Sequence, residues 1–413
     1  MAAYTIFVYI VWFLAIYFTL VFLMMLVSQR NKIYDFPETV EGEALPKVSF
    51  VVPAYNEEKK IAKSIESLKS VDYPKELMEI IIVNDGSTDK TAEAVRQYHD
   101  MPNLVFIDNK DNKGKAARLN QGISRAGGEY IACMDADSMV SPDIIRKTIP
   151  YFKDPKVGAV TVTVKVDNPK SFLEKMIEIE YIIGLSLWLK VLSFFNSIHV
   201  TPGPFSIYRT SMLKEIGGFD VNNITEDMEI AHRIQRYKYR IACCIATHVK
   251  TIIPRNLRGL YRQRKRWYSG ALITFWKYKD MVLKKNSGVF GVFLPYIYLL
   301  VFLGLALFLT SSYMSIADFV QSTSLYTHTN FNFLQQFSLK DIDPLSISVF
   351  SVFGLSSILF VFILAYTGLK IAGYSTKKKA KGILGFWFLF FIYQLFWMSA
   401  FFSVLFKREV KWR

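Results

Sequence analysis

Four long apolar segments flank one charged region, and this arrangement constrains the fold more than any other feature of the sequence. The segments occupy residues 1–27, 289–314, 345–369 and 383–406, and none of them contains Asp, Glu, Lys or Arg. A helix needs roughly 20 apolar residues to cross the hydrocarbon core of a bilayer. The sequence therefore predicts about four transmembrane helices, with a water-soluble region between the first and the second.

The first apolar segment could also be a secretory signal peptide. It has no positively charged start and no small-residue cleavage site, and it is longer than the apolar part of such peptides. We therefore expect residues 1–27 to be an uncleaved membrane anchor.

Basic residues near the apolar segments predict the orientation of the chain. Arg30 follows the first segment, Lys285 precedes the second, and a run of lysines fills residues 370–382. Residues 315–344, in contrast, contain one lysine and no arginine. Because basic flanks favour the cytoplasmic side, we expect a multi-pass protein of the cell membrane. The middle region would be cytoplasmic, and residues 315–344 would form an extracytoplasmic loop.

The C-terminal tail conflicts with this plan. Four spans would place residues 407–413 outside, but the tail contains Lys407, Arg408, Lys411 and Arg413. Such residues favour the cytoplasm. Either the tail is an exception, or one apolar segment enters the membrane and returns on the same side, and the sequence leaves both options open.

Composition excludes several classes of protein. Hydrophobic residues make up 52% of the chain and charged residues 21%, which rules out a disordered chain, a collagen and a coiled coil. The net charge of +15 would form a basic patch in a nucleic-acid binder, but much of it lies beside apolar segments, so we expect no nucleic-acid partner. Cys133, Cys243 and Cys244 have no metal-ligand spacing and are expected to be buried in a reducing compartment.

In the soluble region, residues 28–270, the first half alternates short apolar runs with segments of helical spacing. This alternation predicts a mostly parallel sheet covered by helices on both faces. Ligands of such sheets bind at the carboxyl ends of the strands. Polar clusters follow three of the predicted strands: Tyr55-Asn56-Glu57, Asp85 and Asp135-Ala136-Asp137.

Two other segments mix charges with large apolar side chains. Residues 171–195 are too polar to span a membrane and too apolar for a free surface helix, which favours an amphipathic helix in the membrane interface. A buried core helix is the alternative. Residues 271–288, with Trp276 between basic residues, receive the same interpretation.

Two carboxylates, Asp135 and Asp137, leave a predicted strand together. Such an oxygen-rich pair suits Mg²⁺ or Mn²⁺ bridging a diphosphate. A solvated acidic turn would give the same short pattern. His248 is a further candidate metal ligand, but no carboxylate or second histidine lies near it in sequence, so a hydrogen-bonded histidine at a strand end is the simpler interpretation.

A third cluster, Thr225-Glu226-Asp227, precedes a helix predicted at residues 228–236. An N-cap threonine and acidic residues in the first turn would stabilise that helix and explain the pattern. The functional interpretation makes Asp227 a general base that accepts a proton from an attacking hydroxyl.

Gln263, Arg266 and Trp267 fall on one face of a predicted helix. An amide, a guanidinium and an indole together can hold a diphosphate and stack on a sugar. A basic run beside a membrane can instead contact lipid headgroups.

The order of these motifs resembles the family 2 glycosyltransferases. The membrane-embedded processive group is most similar, and it includes the poly-N-acetylglucosamine, chitin, nodulation chitooligosaccharide, hyaluronan and cellulose synthases. Residues 51–57 and 84–89 resemble the family's first two strand ends, residues 112–120 its basic donor-site helix and residues 203–209 an acceptor-side segment. The resemblance covers about residues 48–270.

The resemblance implies a GT-A fold, which is a Rossmann-like α/β domain, inserted between transmembrane helices. It implies a processive, inverting β-glycosyltransferase that uses a UDP-sugar and Mg²⁺ or Mn²⁺. The implied roles are as follows: Tyr55, Glu57, Asp85 and Lys115 hold the nucleotide; Asp135 contacts the donor; Asp137 ligates the metal; Asp227 is the base; Glu226, Gln263, Arg266 and Trp267 contact the acceptor and diphosphate.

N-acetylglucosamine is the favoured sugar, and the partners would be the growing glycan and the lipid bilayer. Four spans give few helices for a polymer channel, so a small membrane partner or a second copy is also expected. Two alternatives stay open: a non-processive family 2 enzyme that loads a sugar onto a polyprenyl phosphate or glycolipid, and a channel or receptor without enzymatic activity.

Overall fold

The computed structural model describes residues 2–38, 44–328 and 349–407. The chain divides into two compact units, Met1–Met25 with Pro295–Leu364, and Leu26–Leu294 with Ala365–Arg413. The helices are α1 (Ala2–Ser28), α2 (Ile61–Lys69), α3 (Thr91–Arg96), α4 (Lys115–Arg125), α5 (Ile144–Thr148), α6 (Phe172–Ile182), α7 (Leu189–Phe194), α8 (Thr210–Glu215), α9 (Glu226–Arg236), α10 (Leu257–Lys277), α11 (Gly288–His328), α12 (Val349–Ile371) and α13 (Thr376–Leu405). The strands are β1 (Val48–Ala54), β2 (Met78–Asp85), β3 (Leu104–Asn109), β4 (Tyr130–Cys133), β5 (Met139–Val140), β6 (Val157–Val166), β7 (Ser206–Arg209) and β8 (Arg240–Thr251).

The second unit is built on one sheet in the order β3-β2-β1-β4-β7-β6-β8-β5. Strands β1 to β4 pair in parallel, which confirms the alternating strand and helix pattern of the first half. The other half is mixed, because β7 runs antiparallel to β4 and β6, and β5 runs antiparallel to β8. β6 and β8 pair in parallel, so parallel pairs still outnumber antiparallel pairs among the described strands.

The centre of the sheet is buried on both faces. All residues of β1 are buried, as are seven of the eight in β2, and this explains why both strands read as continuous apolar runs. On one face, Ile61, Ile65 and Leu68 of α2 pack into the same core as β1 and β2. The strands extend to Ala54 and Asp85, so the polar clusters begin directly at the strand ends.

The segment predicted at residues 171–195 is continuous helix, formed by α6, a π-helical turn at Ile183–Trp188, and α7. A capping box at Ser171 and Glu174 begins it. Most of its apolar residues are buried within the protein, and Met176, Ile177 and Tyr181 belong to the main core. Most of this segment is therefore packed within the protein, as in the core-helix alternative, and a position at the membrane interface stays a prediction.

The boundary predicted between residues 270 and 271 is not a break. α10 runs without interruption from Leu257 to Lys277, so Gln263, Arg266 and Trp267 share one helix with the segment predicted to be interfacial. Only two short 3₁₀ turns separate this helix from α11.

Two helices are long and apolar enough to cross a membrane within the described parts of the chain, at Ala3–Ser28 and Lys285–Thr323. α11 continues past Met314 to His328, so the predicted loop at residues 315–344 starts as helix, and residues 329–344 lie outside the described residues. The third predicted segment, residues 345–369, corresponds to α12, whose shorter apolar stretch is Ile358–Ile371. The fourth, residues 383–406, lies in α13. Its two parts, Lys379–Leu389 and Phe391–Leu405, are together long and apolar enough for one span, but they meet at a bend of 43°. A total of four spans stays a prediction.

Candidate active site

One cleft of about 780 Å³ lies at the carboxyl ends of the central strands. The structure brings every predicted site residue to this cleft: Tyr55, Glu57, Asp85, Lys115, Asp135, Asp137, Glu226, Asp227, Gln263, Arg266 and Trp267. The parallel pairing of β1 with β2 and β4 explains the convergence, because their carboxyl ends meet at one edge of the sheet.

Asp85 closes β2 and is held by three donors. The backbone N–H groups of Lys113 and Gly114 donate to its two carboxylate oxygens at 2.8 and 2.9 Å, and Arg118 Nε donates at 2.7 Å. Gly114 has a φ of 87°, which favours glycine. These bonds fix the turn that begins α4 and so position Lys115, the first residue of that helix.

Lys115 joins two of the predicted carboxylates. Its ammonium lies 2.6 Å from Asp135 Oδ1 and 2.7 Å from Glu226 Oε1. Burial alone would lower the pKa of Lys115, but Asp135 and Glu226 outweigh it and raise the pKa well above its usual value. Lys115 is therefore a fixed positive charge in the centre of the cleft.

Gly203 allows this close approach. A Cβ at Gly203 would lie 2.7 Å from Lys115 Nζ and 3.0 Å from Asp135 Oδ2. The segment at residues 203–209, which resembles the acceptor-side segment, thus begins in direct contact with the donor-side charges.

Lys60 provides a second bridge that the sequence did not reveal. Its ammonium lies 2.8 Å from Glu57 Oε2 and 3.4 Å from Asp137 Oδ2. Burial raises the pKa of Asp137 to about 6, Asp135 adds to this effect, and Lys60 opposes it.

Asp135 and Asp137 fit a divalent cation that is held mainly by a bound diphosphate. Their oxygens are hard ligands, and Mg²⁺ in nucleotide sites typically takes one or two protein carboxylates together with phosphate oxygens. Across the described ranges, no three His, Cys, Asp or Glu side chains are grouped closely enough to hold a metal by themselves.

His248 does not belong to this site. It lies near the end of β8, opposite Thr163, and does not line the cleft. Burial lowers its pKa to about 4, and Lys165 and Lys250 contribute to the same shift. His248 therefore lies in a strand near its end, as the simpler interpretation predicts, and away from the residues that line the cleft.

Asp227 lies in the first turn of α9, beside Glu226. Burial and the charge of Glu226 together raise the pKa of Asp227 to about 6, against the opposing effects of Lys115 and Arg266. Glu226 behaves in the opposite way: burial would raise its pKa, but Lys115 and Arg266 hold it below its usual value. The pair thus separates into one carboxylate that stays ionised and one that can exchange a proton near neutral pH.

The sequence predicted that the Thr225 side chain caps α9, but the structure shows no such hydrogen bond. Its hydroxyl donates instead to Asn223 Oδ1 at 3.2 Å. A Cβ at Gly270 of α10 would lie 2.2 Å from Thr225 Oγ1, so α10 packs directly on the start of α9. The hydroxyl is used to hold the turn before the helix.

α10 forms the opposite wall of the cleft. Arg266 Nη1 donates to the carbonyl of Ile224 at 3.3 Å, and Trp267 lies with its ring centroid 6.2 Å from that of Tyr181. Arg262 and Lys265 also line the cleft. An amide, cations and two aromatic rings thus face the carboxylates across the cleft.

Sequence reasoning missed Lys60 and Tyr181 as residues of the site, and it included Gly203 only as the start of the acceptor-side segment, without its contact to Lys115. Arg118 was within a quoted motif, but its role as the partner of Asp85 was not predicted. Gly203 could have been found from the Pro202-Gly203-Pro204 pattern, which indicates a rigid turn. Lys60 and Tyr181 gave no local signal, because their approach depends on how α2 and α6 pack.

Comparison with known proteins identifies the family. Residues 49–217 match the model of "Glycosyl transferase family 2". The poly-beta-1,6-N-acetyl-D-glucosamine synthase of Staphylococcus epidermidis is 30% identical over 367 residues, which cover 87% of this chain and 82% of that protein. The chain belongs to glycosyltransferase family 2. It is an enzyme, and the alternative of a channel or receptor without activity is set aside.

Further similarities agree with this assignment. The synthase of the same name from Staphylococcus aureus is 33% identical over 232 residues, or 56% of each chain. A mannosyltransferase from Pyrobaculum calidifontis, solved with GDP-Man and Mn²⁺, matches with a TM-score of 0.59 at 19% identity and covers 97% of this chain and all of its own. At this identity the match establishes the shared GT-A-like, Rossmann-type fold.

Proposed function

We propose that this protein is a processive, inverting β-glycosyltransferase of the cell membrane that polymerises N-acetylglucosamine from a UDP-sugar. The observation that carries the proposal is the single cleft in which Lys115, Asp135 and Asp137 face Asp227 and the wall formed by α10. The names of the similar synthases support the sugar and the polymeric product.

The donor would bind at the ends of β1, β2 and β4. Tyr55, Glu57 and Asp85 would hold the nucleotide, and Lys115 would face the diphosphate with its fixed charge. Asp135 would contact the donor, and Asp137 would hold Mg²⁺ or Mn²⁺. The bound metal would neutralise the negative charge that develops on the UDP leaving group.

The acceptor would bind on the opposite side, against Trp267 and Gln263, with Glu226 beside them. Asp227 would accept the proton of the attacking hydroxyl. The hydroxyl oxygen would form a bond to the anomeric carbon while the bond to the UDP oxygen breaks, and this direct displacement inverts the configuration. Arg266 would add a positive charge near the leaving diphosphate.

The membrane location follows from the apolar helices and the distribution of basic residues. The catalytic domain would lie in the cytoplasm, where UDP-sugars are available, and the product would be a glycan that leaves the cell. A small membrane partner or a second copy would supply the helices that the chain lacks for a channel.

Product analysis tests this proposal. Purified protein in nanodiscs receives Mn²⁺ or Mg²⁺ and each radiolabelled UDP-sugar in turn, and products are separated by size and digested with linkage-specific glycosidases. A long ladder of products from UDP-N-acetylglucosamine is expected. A single lipid-sized product would instead establish the enzyme that loads a lipid acceptor.

Two substitutions provide the comparison. Asp227→Asn should lower turnover by roughly 10²- to 10⁴-fold, the range for loss of a general base. The same chemical change at Asp100, whose side chain is 87% exposed, should leave turnover unchanged. Equal activity of Asp227→Asn and wild type would overturn the assignment of the base.

A further inference from the structure

α13 has two apolar faces in different surroundings. One face is buried, at intervals of three and four residues: Gly382, Gly385, Leu389, Tyr393, Phe396, Ala400 and Ser403. The other face is exposed: Leu384, Phe388, Phe391, Leu395, Phe402 and Leu405. The helix therefore has a packed stripe and an apolar stripe that nothing in the described residues of its own unit covers.

The packed stripe is fixed to the catalytic domain near both of its ends. Near the start, Lys379 Nζ lies 2.6 Å from both carboxylate oxygens of Glu178 in α6. Near the end, the hydroxyl groups of Ser399 and Tyr261 of α10 lie 2.6 Å apart. At about 1.5 Å per residue, this pinned stretch is roughly 30 Å long, which is the thickness of the hydrocarbon core.

The contacts between these ends are close and specific. A Cβ at Gly385 would lie 2.4 Å from Phe172 Cζ, so α13 lies directly on α6. The Tyr393 hydroxyl donates to Glu180, which also pairs with Arg264 of α10 at 2.8 Å. α13 thus packs along its length on elements of the catalytic domain.

The C-terminal part of α13 lies beside the part of α10 that lines the cleft, and this position bears on which side of the membrane α13 ends. Tyr268 stacks on Trp397 with ring centroids 4.1 Å apart, and the same stretch of α10 carries Gln263 and Lys265, which line the cleft. The cleft must be open to a water-soluble nucleotide sugar. From Ser399 to the end of α13 the helix rises by only about 9 Å, too little to cross a core of about 30 Å.

We propose that α13 is not a transmembrane span but lies in the membrane interface, with its phenylalanine-rich stripe against the lipid. Both of its ends then remain on the side of the catalytic domain. The proposal rests on the proposed function in one respect, namely that the cleft receives a water-soluble donor.

Lipid is the occupant that the chain itself indicates for the exposed stripe. The same chain contains two helices of membrane-spanning length, so the protein is expected to be attached to a bilayer. The exposed lysines Lys377, Lys381 and Lys407 flank the stripe and complement anionic headgroups. A helix with an apolar face and flanking lysines is typical of the interface.

This arrangement resolves the conflict over the tail. With α13 in the interface, residues 407–413 stay on the same side as the basic flanks of the other segments. Lys407, Arg408, Lys411 and Arg413 then follow the rule that basic residues favour the cytoplasm.

Cysteine labelling of the full-length protein tests the side of the tail. The three native cysteines are buried, so Lys407→Cys, Lys214→Cys on the exposed surface of α8, and Asn330→Cys in the predicted loop can each be labelled with a membrane-impermeant maleimide. We expect Lys407→Cys to react in vesicles in which Lys214→Cys reacts, where the catalytic domain faces outward. In vesicles that enclose the catalytic domain, neither cysteine should react. Reaction from the opposite side to Lys214→Cys would overturn the proposal. The labelling needs no turnover, so it is independent of a failure of the catalytic assignment.

Nitroxide labels on the exposed stripe test the occupant. In nanodiscs, labels at Leu384→Cys, Phe391→Cys and Phe402→Cys should all report access to oxygen at one shallow depth, about 5–10 Å into the interface. A label near the bilayer centre between two shallow ones would indicate a span and overturn the proposal. Protection from both oxygen and a water-soluble nickel complex would indicate a second copy or a partner protein in place of lipid, and would overturn it as well.

Discussion

Asp227 is buried beside Glu226, and this position raises its pKa to about 6. A general base must be deprotonated, so kcat/KM should be constant above pH 7 and fall about tenfold per pH unit below pH 6. A pH profile of glycosyl transfer at fixed metal concentration measures this. A profile without an acid limb between pH 5 and 7 would contradict the assignment.

Asp137 also has a pKa of about 6, so its titration could produce the same acid limb as that of Asp227. A substitution at Glu226 distinguishes the two groups. The negative charge of Glu226 raises the pKa of Asp227. Glu226→Gln should therefore move the acid limb to lower pH, whatever it does to the rate at the plateau. An unmoved limb would assign the titration to another group.

Gly203 is a position where one methyl group should disturb the donor site. Its Cβ would lie 2.7 Å from Lys115 Nζ, so Gly203→Ala should displace the ammonium from Asp135. We expect at least a tenfold rise in KM for the donor, with an unchanged melting temperature. Gly184→Ala is the matched control, because a Cβ there meets nothing within 4 Å. Equal donor KM values for both variants would show that the contact is unimportant.

The residues of the cleft differ in how far the sequence reveals them. Asp85, Asp135 and Asp137 follow strands of a parallel sheet, and the rule that strand ends converge is sufficient to place them together. Lys60 and Tyr181 come from helices. Whether the side chains of Lys60 and Tyr181 reach the cleft depends on how their helices pack in the whole domain, and local residue spacing does not encode this packing.

At the scale of elements, α6, α10 and α13 meet at Arg264, whose side chain is 1% exposed. Its guanidinium pairs with Glu180 and lies 4.1 Å from the ring centroid of Trp267, so it positions the aromatic wall of the cleft. Arg264→Met leaves Glu180 without its cation. Because Glu180 is 23% exposed, the cost in unfolding free energy should be about 2 kcal/mol or more, below the roughly 3–5 kcal/mol of a fully buried pair.

Thermal unfolding in detergent measures this difference. The double variant Arg264→Met with Glu180→Gln should recover part of the loss, since no unpaired charge remains. Arg240→Met is the surface control, because Arg240 and Asp154 are 45% and 38% exposed, and its cost should be at most about 1 kcal/mol. Equal losses at Arg264 and Arg240 would contradict a structural role for the buried pair.

The same elements show what hydropathy alone leaves open. Most of α6 and α7, predicted to lie in the membrane interface, is buried within the protein, and α13, predicted to span the membrane, packs on the domain along one face. Lipid and a protein core are both apolar, so a sequence pattern cannot distinguish them. α1 and α11 each reach membrane-spanning length as one helix, whereas the two parts of α13 reach it only together.

At the scale of the whole molecule, the catalytic domain is not a continuous stretch of sequence. Leu389, Tyr393 and Phe396 of α13 belong to the same core as β1, β2 and α2, although more than 90 residues separate the start of α13 from the end of α10. The predicted boundary at residue 270 therefore cuts the domain. A protein that ends before α13 should lack part of its core.

Removal of residues 376–413 tests this discontinuity. The loss of three large buried side chains corresponds to roughly 5–9 kcal/mol of burial, which is comparable with the roughly 5–15 kcal/mol of net stability of a typical domain. The truncated chain should therefore aggregate and fail to bind UDP, as measured by size-exclusion chromatography and calorimetry. A chain that ends at Lys407 keeps all of α13 and should remain monodisperse and bind UDP. If the chain without residues 376–413 were also folded and bound UDP with wild-type affinity, α13 would not be needed for the fold of the domain. A contact of α13 with the membrane would then not be expected to affect the cleft.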